Sequence, residues 1–251
     1  MSASDIGKVL VVIPTYNELK NLPIIVAGVR AAAPEVHILI ADDKSPDGTG
    51  EVADGLAAHD NAVQVLHRAT KSGLGAAYLE AFQWAKTNEF DVVVEMDADG
   101  SHSPADLVKI LAALTNSDVV LGSRWVKGGQ VVNWPRSREL LSRGGNLYTR
   151  LWLGIPLKDA TGGFRAYRMT ALAKIDVSKV ESQGYCFQVD MAWRVVRSGR
   201  RVIEVPITFV EREIGESKMN QAIVKEALWR VTQWGLAKRG TDLKALLRFG
   251  N

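Results

Sequence analysis

Five short apolar runs alternate with amphipathic helix patterns through the first half of the chain. The runs are KVLVVI (8–13), HILIA (37–41), AVQVLH (62–67), DVVVEM (91–96) and DVVLGS (118–123). Continuous apolar strands separated by helices are typical of a parallel sheet that is covered by helices on both faces. The sequence therefore predicts an α/β fold with a mainly parallel central sheet flanked by helices.

The alternation weakens after residue 124. We predict a helix over 137–153, a helix over 185–198 that Gly199 ends, a short strand pair over 201–212 and a final amphipathic helix over 219–238. No internal repeat, low-complexity segment or linker divides the chain. Its 251 residues are thus interpreted as one domain.

Basic charge is concentrated in two late segments that are rich in Trp and Leu. The formal net charge of +3 is too small to indicate nucleic-acid binding. Residues 133–155 hold four arginines against one glutamate, however, and residues 222–251 hold six Lys or Arg against two acids. These segments predict an anionic partner, either a phosphate or a membrane surface.

The cysteine count and the hydropathy pattern exclude several classes of protein. Cys186 is the single cysteine, which excludes an intramolecular disulfide and disfavours a Cys-based zinc site. No run reaches the roughly 18 apolar residues of a membrane-spanning helix. The N-terminus has no signal-peptide pattern. We therefore predict a cytoplasmic protein.

Polar residues follow the strands at the edge where open α/β sheets bind ligands. Asp97 and Asp99 follow the fourth run, and two carboxylates at this spacing can reach one divalent cation, which can neutralise a diphosphate leaving group. The alternative is that they cap the helix beginning near Ser103. Asp42 and Asp43 follow the second run, either to bind a nucleobase or ribose or simply to form a turn. Neither G-x-G-x-x-G nor a P-loop pattern occurs, which disfavours a dinucleotide-binding Rossmann site and a P-loop.

Seven segments in order resemble glycosyltransferase family 2, and most closely its polyprenol-phosphate (dolichol-phosphate) mannose synthases. They are PTYNE, DDKSPDGT, KSGLGAAY, MDADGSHSP, GSRW, DATGGFRAY and the RxxGxSK pattern of residues 212–218. The resemblance runs from about Val11 to Lys218. It implies a GT-A fold, a Rossmann-like nucleotide-sugar-binding domain. Within the single domain 1–251, residues 8–125 would be the nucleotide-sugar half, 126–218 the acceptor half and 219–251 a helical segment that contacts a membrane or partner.

The resemblance also implies a site. Its GDP-mannose contacts would be Pro14, Tyr16, Glu18, Ala41, Asp43, Asp97, Ala98, Asp99, Arg124, Arg212 and Lys218. The catalytic residues among these would be Asp97, Asp99 and Arg124. Asp99 and Ser101 would hold Mg²⁺ or Mn²⁺, with Ser101 standing where some members use Gln. Arg138 and Ser142 would bind the acceptor phosphate.

The reaction implied by the resemblance is inverting transfer of mannose from GDP-mannose to a polyprenyl monophosphate, with release of GDP. A phosphate oxygen is already anionic at neutral pH, so no strong general base is needed. Three alternatives stay open: a UDP-glucose donor, a nucleotidyltransferase that would release pyrophosphate, and a non-catalytic nucleotide-sugar-binding module.

A polyprenyl acceptor resides in a membrane, so we expect peripheral association with its cytoplasmic face. The leucine- and tryptophan-bearing basic segments would contact the interface, or the protein would dock on a separate membrane subunit. The alternative for both segments is ordinary helix packing. His102, alone after the DAD segment, is interpreted as a solvent-facing or capping residue rather than a metal ligand.

Overall fold

The computed structural model describes residues 6–177, 180, 185–212 and 221–248. Its strands are β1 (Val9–Thr15), β2 (His37–Asp42), β3 (Val63–His67), β4 (Val92–Glu95), β5 (Val119–Ser123), β6 (Gln130–Val132), β7 (Arg165–Arg168), β8 (Val202–Pro206) and β9 (Thr208–Val210). Its helices are α1 (Leu22–Ala32), α2 (Thr49–His59), α3 (Leu74–Thr87), α4 (Pro104–Ala113), α5 (Arg136–Leu153), α6 (Met169–Leu172), α7 (Tyr185–Arg197) and α8 (Gln221–Arg248).

The central sheet has seven strands in the order β3-β2-β1-β4-β7-β5-β8. All neighbouring pairs are parallel except those of β7, which runs antiparallel to both β4 and β5. A second sheet pairs β6 with β9 in parallel. The predicted α/β fold with a mainly parallel central sheet is confirmed.

Side chains alternate between two cores, one on each face of the sheet. On β1, Val11 and Ile13 pack into the core that α1, α2 and α4 cover, whereas Leu10 and Val12 pack into the core that α3 and α7 cover. All four of these side chains are fully buried. Because both faces are covered, the carboxyl ends of the strands are the part of the sheet left available for a site.

The structure corrects two details of the prediction. The two strands expected to pair over 201–212 lie in different sheets: β8 pairs with β5, and β9 pairs with β6. The final helix is longer than predicted and spans Gln221–Arg248.

Helix α8 packs along α5 at the edge of the domain. Tyr148 and Thr232 are joined by a hydroxyl–hydroxyl hydrogen bond of 2.6 Å. A β-carbon on Gly235 would lie 2.8 Å from the Trp152 ring, so this glycine allows the two helices to approach closely. Among the described residues, no helix combines the length and the hydropathy required to cross a membrane.

Candidate active site

Asp97 and Asp99 follow β4 in a turn that three neighbouring residues hold in shape. The Asp97 backbone N–H donates to Nδ1 of His102 at 3.0 Å, and the Ser101 backbone N–H donates to Asp99 at 3.1 Å. Gly100 has a φ of 76°, a left-handed conformation that residues with a β-carbon rarely adopt. The turn therefore places both carboxylates at the carboxyl end of β4.

His102 is buried, so the expectation that it faces solvent is wrong. Its ring stacks on Phe164 with centroids 4.8 Å apart and meets the edge of Phe209 at 5.6 Å. With Nδ1 accepting the hydrogen bond from Asp97, the histidine fixes the acidic turn instead of capping the next helix. Aromatic packing at this turn gave no signal in the local sequence.

The carboxylate of Asp99 is held as an anion. Burial alone would raise its pKa, but hydrogen bonding from Ser101 and the positive charge of Arg212 outweigh burial and lower the pKa. The Arg212 guanidinium lies 3.0 Å from the Asp99 carboxylate. A cation thus already stands at the carboxylate that the sequence predicts as a metal ligand.

The chemistry of this donor set fits a hard divalent cation. Asp97 and Asp99 supply carboxylate oxygens two residues apart, and Ser101 adds a hydroxyl beside them. In the part of the chain that is described, no cluster of three or more His, Cys, Asp or Glu forms a complete metal cage. An ion such as Mg²⁺ or Mn²⁺ would therefore bind through one or two carboxylates and complete its shell with substrate phosphates and water.

The predicted nucleotide-binding residues meet at the carboxyl ends of β1 and β2. Pro14 on β1 lies in register with Ala41 on β2, and Asp43 follows two residues later. The Glu18 carboxylate accepts a hydrogen bond from the Asn21 amide at 2.8 Å, and the Glu18 backbone N–H donates to the hydroxyl of Thr49, the first residue of α2, at 3.0 Å. Ala98, between the two aspartates, is buried in the core. These residues are brought to one edge of the sheet, as predicted.

Two basic residues that the sequence reasoning missed complete this end of the site. Arg68, nearly buried, forms an ion pair with Asp43 and a second one of 2.8 Å with Glu80. Lys71 places its Nζ 3.6 Å above the Tyr16 ring. Both residues follow β3. The rule that points to polar residues after the other strands would therefore have pointed to them as well. Burial raises the pKa of Asp43 despite the opposing charge of Arg68.

Arg124 is clamped by a buried carboxylate. Its backbone N–H and Nε donate to one oxygen of Asp159 at 3.0 and 2.7 Å, and a terminal nitrogen donates to the other oxygen at 2.7 Å. Thr161 accepts a further hydrogen bond at 2.9 Å, and Asn146 donates to Asp159 at 3.3 Å. Burial raises the pKa of Asp159, but Arg124 outweighs it and the net pKa is lowered. The expected sugar-phosphate contact is therefore a rigidly oriented side chain.

An aromatic wall joins Arg124 to the predicted acceptor-binding residue Arg138. The Trp134 ring centre lies 5.4 Å from the Arg124 guanidinium carbon and 4.2 Å from that of Arg138. Trp134 also meets Phe209 edge-on at 5.4 Å. Arg138 further pairs with Glu211. Trp134 and Phe209 thus link the acceptor side of the site to the His102 turn, a link that no local pattern predicted.

The structure gives fewer contacts for the two remaining predicted residues, Ser142 and Lys218. Ser142 lies one helical turn after Arg138 on α5, so both fall on the same face of that helix. Lys218 lies outside the described residues. The structure therefore brings together the acidic turn, the residues predicted to bind the nucleotide, and Arg124 with Arg138. The roles of these residues, like that of Lys218, stay predictions.

Comparison with known proteins places this geometry in a family. The profile of Glycosyl transferase family 2 matches residues 10–176. The undecaprenyl-phosphate mannosyltransferase of Micrococcus luteus is 55% identical over 240 residues, which cover 96% of this chain and 99% of that protein. The polyprenol monophosphomannose synthase of Mycolicibacterium smegmatis is 51% identical over 243 residues, covering 96% and 92%.

Solved structures share the fold at low sequence identity. Glucosyl-3-phosphoglycerate synthase from Mycobacterium tuberculosis, in complex with Mn²⁺, UDP-glucose and phosphoglyceric acid, superposes with a TM-score of 0.68 at 17% identity over 93% of this chain and 81% of that one. The mannosyltransferase PcManGT from Pyrobaculum calidifontis, in complex with GDP-Man and Mn²⁺, gives 0.56 at 16% identity over 99% and 81%. The matching family profile and the two relatives above 50% identity show that the chain belongs to glycosyltransferase family 2 and, within it, to the polyprenol-phosphate mannose synthases.

Proposed function

We propose that this enzyme transfers mannose from GDP-mannose to a polyprenyl monophosphate with inversion at the anomeric carbon. The observation that carries the proposal is the placement of an acidic turn and two arginines around one sheet edge, in a chain more than half identical to a named mannosyltransferase of this type. An acceptor phosphate oxygen would form the new bond to the anomeric carbon as the bond to GDP breaks. The departing GDP keeps the electron pair, so no proton needs to move.

The acidic turn would serve the donor diphosphate. A bound Mg²⁺ or Mn²⁺ would supply Lewis-acid neutralisation of the negative charge that develops on the leaving GDP. Asp99, with its lowered pKa, is ready to hold such a cation at neutral pH. Asp97 would lie against the same diphosphate, oriented by His102. Tyr16 and Asp43, backed by Lys71 and Arg68, would contact the nucleoside.

The arginine side would serve the acceptor. Arginine suits this task because its planar guanidinium pairs with phosphate through two parallel hydrogen bonds. Arg138 on α5 would bind the polyprenyl phosphate with help from Ser142. Arg124, fixed by Asp159, would stabilise charge near the sugar phosphate. The wall of Trp134 keeps both guanidinium groups in place.

The protein would work at the cytoplasmic face of a membrane, since its acceptor is a lipid. Large apolar side chains are exposed on the two packed edge helices: Leu140, Leu141, Leu147 and Leu151 on α5, and Leu228, Trp229 and Leu236 on α8. Exposed leucine and tryptophan beside basic residues are typical of helices that lie in the membrane interface. Attachment to a separate membrane subunit through the same helices is the alternative.

The test is transfer of radiolabelled mannose from GDP-mannose to polyprenyl phosphate in detergent, with and without Mg²⁺ or Mn²⁺. UDP-glucose and the variant Asp99→Asn are run in parallel. We expect a metal-dependent, organic-soluble mannosyl product that Asp99→Asn fails to make. Product from UDP-glucose alone would overturn the donor assignment, and full activity of Asp99→Asn would overturn the metal assignment.

A further inference from the structure

A small basic pocket opens beside α5 and is not used by the proposed reaction. Its volume is about 180 Å³, and it is lined by Trp125, Arg143, Asn146, Leu147, Arg150, Leu157 and Lys158. Pockets that hold whole small-molecule ligands measure roughly 300–1,000 Å³. This pocket is therefore the size for one charged group and not for a nucleotide sugar.

The charges around the pocket favour an anion. Arg143, Arg150 and Lys158 contribute three positive charges to its lining. Glu139 offsets one of them through an ion pair with Arg143 at 2.8 Å. Among the side chains described, no acid pairs with Arg150 or Lys158. The buried indole N–H of Trp125 also lacks a hydrogen-bond partner among those side chains.

An apolar stripe borders this basic group along α5. Arg143 and Arg150 are seven residues apart and share a face with Leu147 between them. Leu140 and Leu151 continue beside Leu147, and their exposed fractions are 70%, 65% and 48% for Leu140, Leu151 and Leu147. A ligand phosphate in the pocket would thus lie next to side chains that suit an acyl chain.

We propose that this pocket binds the headgroup phosphate of an acidic membrane phospholipid, while the neighbouring leucines enter the acyl boundary. The inference rests on the membrane association proposed above and names its lipid contact. Charge complementarity argues for this occupant, because anionic lipids attract basic residues close to the membrane surface. The adjoining leucines favour a lipid over a free phosphate ion, which would gain nothing from them.

The experiment is co-sedimentation of the full chain with vesicles of phosphatidylcholine alone or of phosphatidylcholine mixed with phosphatidylglycerol. The test variant is Arg143→Gln/Arg150→Gln. The matched control is Lys86→Gln/Lys174→Gln, which removes two exposed charges outside α5 and α8. Removing each pocket charge should weaken binding to acidic vesicles about fivefold, or about 25-fold for both. The control should bind like the wild type, and all variants should keep the wild-type unfolding temperature.

Two further arms decide between sources of the phosphate. Inorganic phosphate should not displace the protein from acidic vesicles. Phosphatidylcholine vesicles in which polyprenyl phosphate is the only anionic lipid should not restore the arginine-dependent binding. Displacement by inorganic phosphate, restoration by polyprenyl phosphate, or equal binding by the pocket variant would each overturn the proposal. If the wild type binds no vesicles, the membrane association falls with it, whereas mannosyl transfer in detergent is tested separately.

Discussion

Glu211 and Arg212 are consecutive residues whose side chains form ion pairs in two different parts of the active site. Glu211 pairs with Arg138, the candidate ligand of the acceptor phosphate, and Arg212 lies 3.0 Å from Asp99, the candidate metal ligand. The charge of each of these two candidate residues is therefore neutralised by one of the two residues that follow β9. A substrate or cation that uses Arg138 or Asp99 must compete with these two pairs.

Arg212→Gln should tighten the binding of Mn²⁺ to the protein in the absence of nucleotide. The guanidinium competes with a divalent cation for Asp99, and a partly exposed pair of this kind contributes about 1 kcal/mol, or about fivefold in affinity. Binding of GDP should weaken, because the diphosphate loses a counter-charge. Electron paramagnetic resonance titration of Mn²⁺ and calorimetry of GDP measure the two effects, with Lys86→Gln as control. An unchanged Mn²⁺ affinity would contradict the competition.

Arg138→Ala and Glu211→Gln should change the use of acceptor in opposite directions. The alanine variant loses the charged contact to the acceptor phosphate and should raise the acceptor KM by about tenfold or more. Glu211→Gln frees Arg138 from its ion pair and should lower that KM. Steady-state kinetics with varied polyprenyl phosphate measure both. If the pair only stabilises the fold, both variants will instead lose activity together with thermal stability.

Asp159→Asn should destabilise the protein by about 3 kcal/mol, because it leaves the Arg124 charge buried without its counter-ion. The carboxylate of Asp159 is completely buried and receives both the backbone and side-chain donors of Arg124. Urea unfolding measures the loss, and Asp54→Asn, an exposed carboxylate, should change stability by at most ~0.5 kcal/mol. The double variant Arg124→Met/Asp159→Asn should recover part of the loss; an additive loss would refute the pairing.

Glu95 should make stability fall as the pH rises from about 4.5 to 7. Burial raises its pKa from 4.5 to about 7, with Arg165 opposing the shift. The folded state therefore binds more protons than the unfolded state across this window, so the contribution of Glu95 is greatest at low pH and is lost as its folded pKa is passed. The loss amounts to about 3 kcal/mol.

Glu95→Gln should remove this dependence while keeping an acceptor for the Gln188 amide, which donates to Glu95 at 2.8 Å. Urea unfolding of both proteins at several pH values gives the difference between them. That difference should grow in favour of the variant between pH 4.5 and 7 and then level off. A constant difference would show that Glu95 keeps an ordinary pKa in the folded protein.

The β-α alternation was predictable because each of the first five strands is a self-contained apolar run. The place of β7 was not, because its sequence RAYR carries arginines at both ends. Arg165 is nevertheless fully buried, since its guanidinium donates to the carbonyls of Gly162, Gln188 and Ala160. Gly162 and Ala160 are near in sequence, but Gln188 lies 23 residues away and the partner strands β4 and β5 are more distant still. No local pattern contains that arrangement.

The acidic turn of the site was predictable for a similar reason. Asp97 and Asp99 follow a strand directly, and strand ends converge at one edge. Trp134 and His102 reach the site through side-chain packing, and the sequence gives their type but not their neighbours. The clamp on Arg124 by Asp159 joins residues 35 positions apart, and its geometry is set by the fold.

The insertion of β7 between β4 and β5 sets the distance between the strand ends that carry Asp97 and Arg124. Asp97 and Arg124 emerge from strands that are two positions apart in the sheet, and neighbouring strands lie about 4.8 Å apart. The backbones of the two strand ends are thus about 10 Å apart, and this distance is fixed by the spacing of strands in the sheet. The loops that follow the strands can change without altering this distance, whereas changing the distance would require rebuilding the pairing of β7 with β4 and β5.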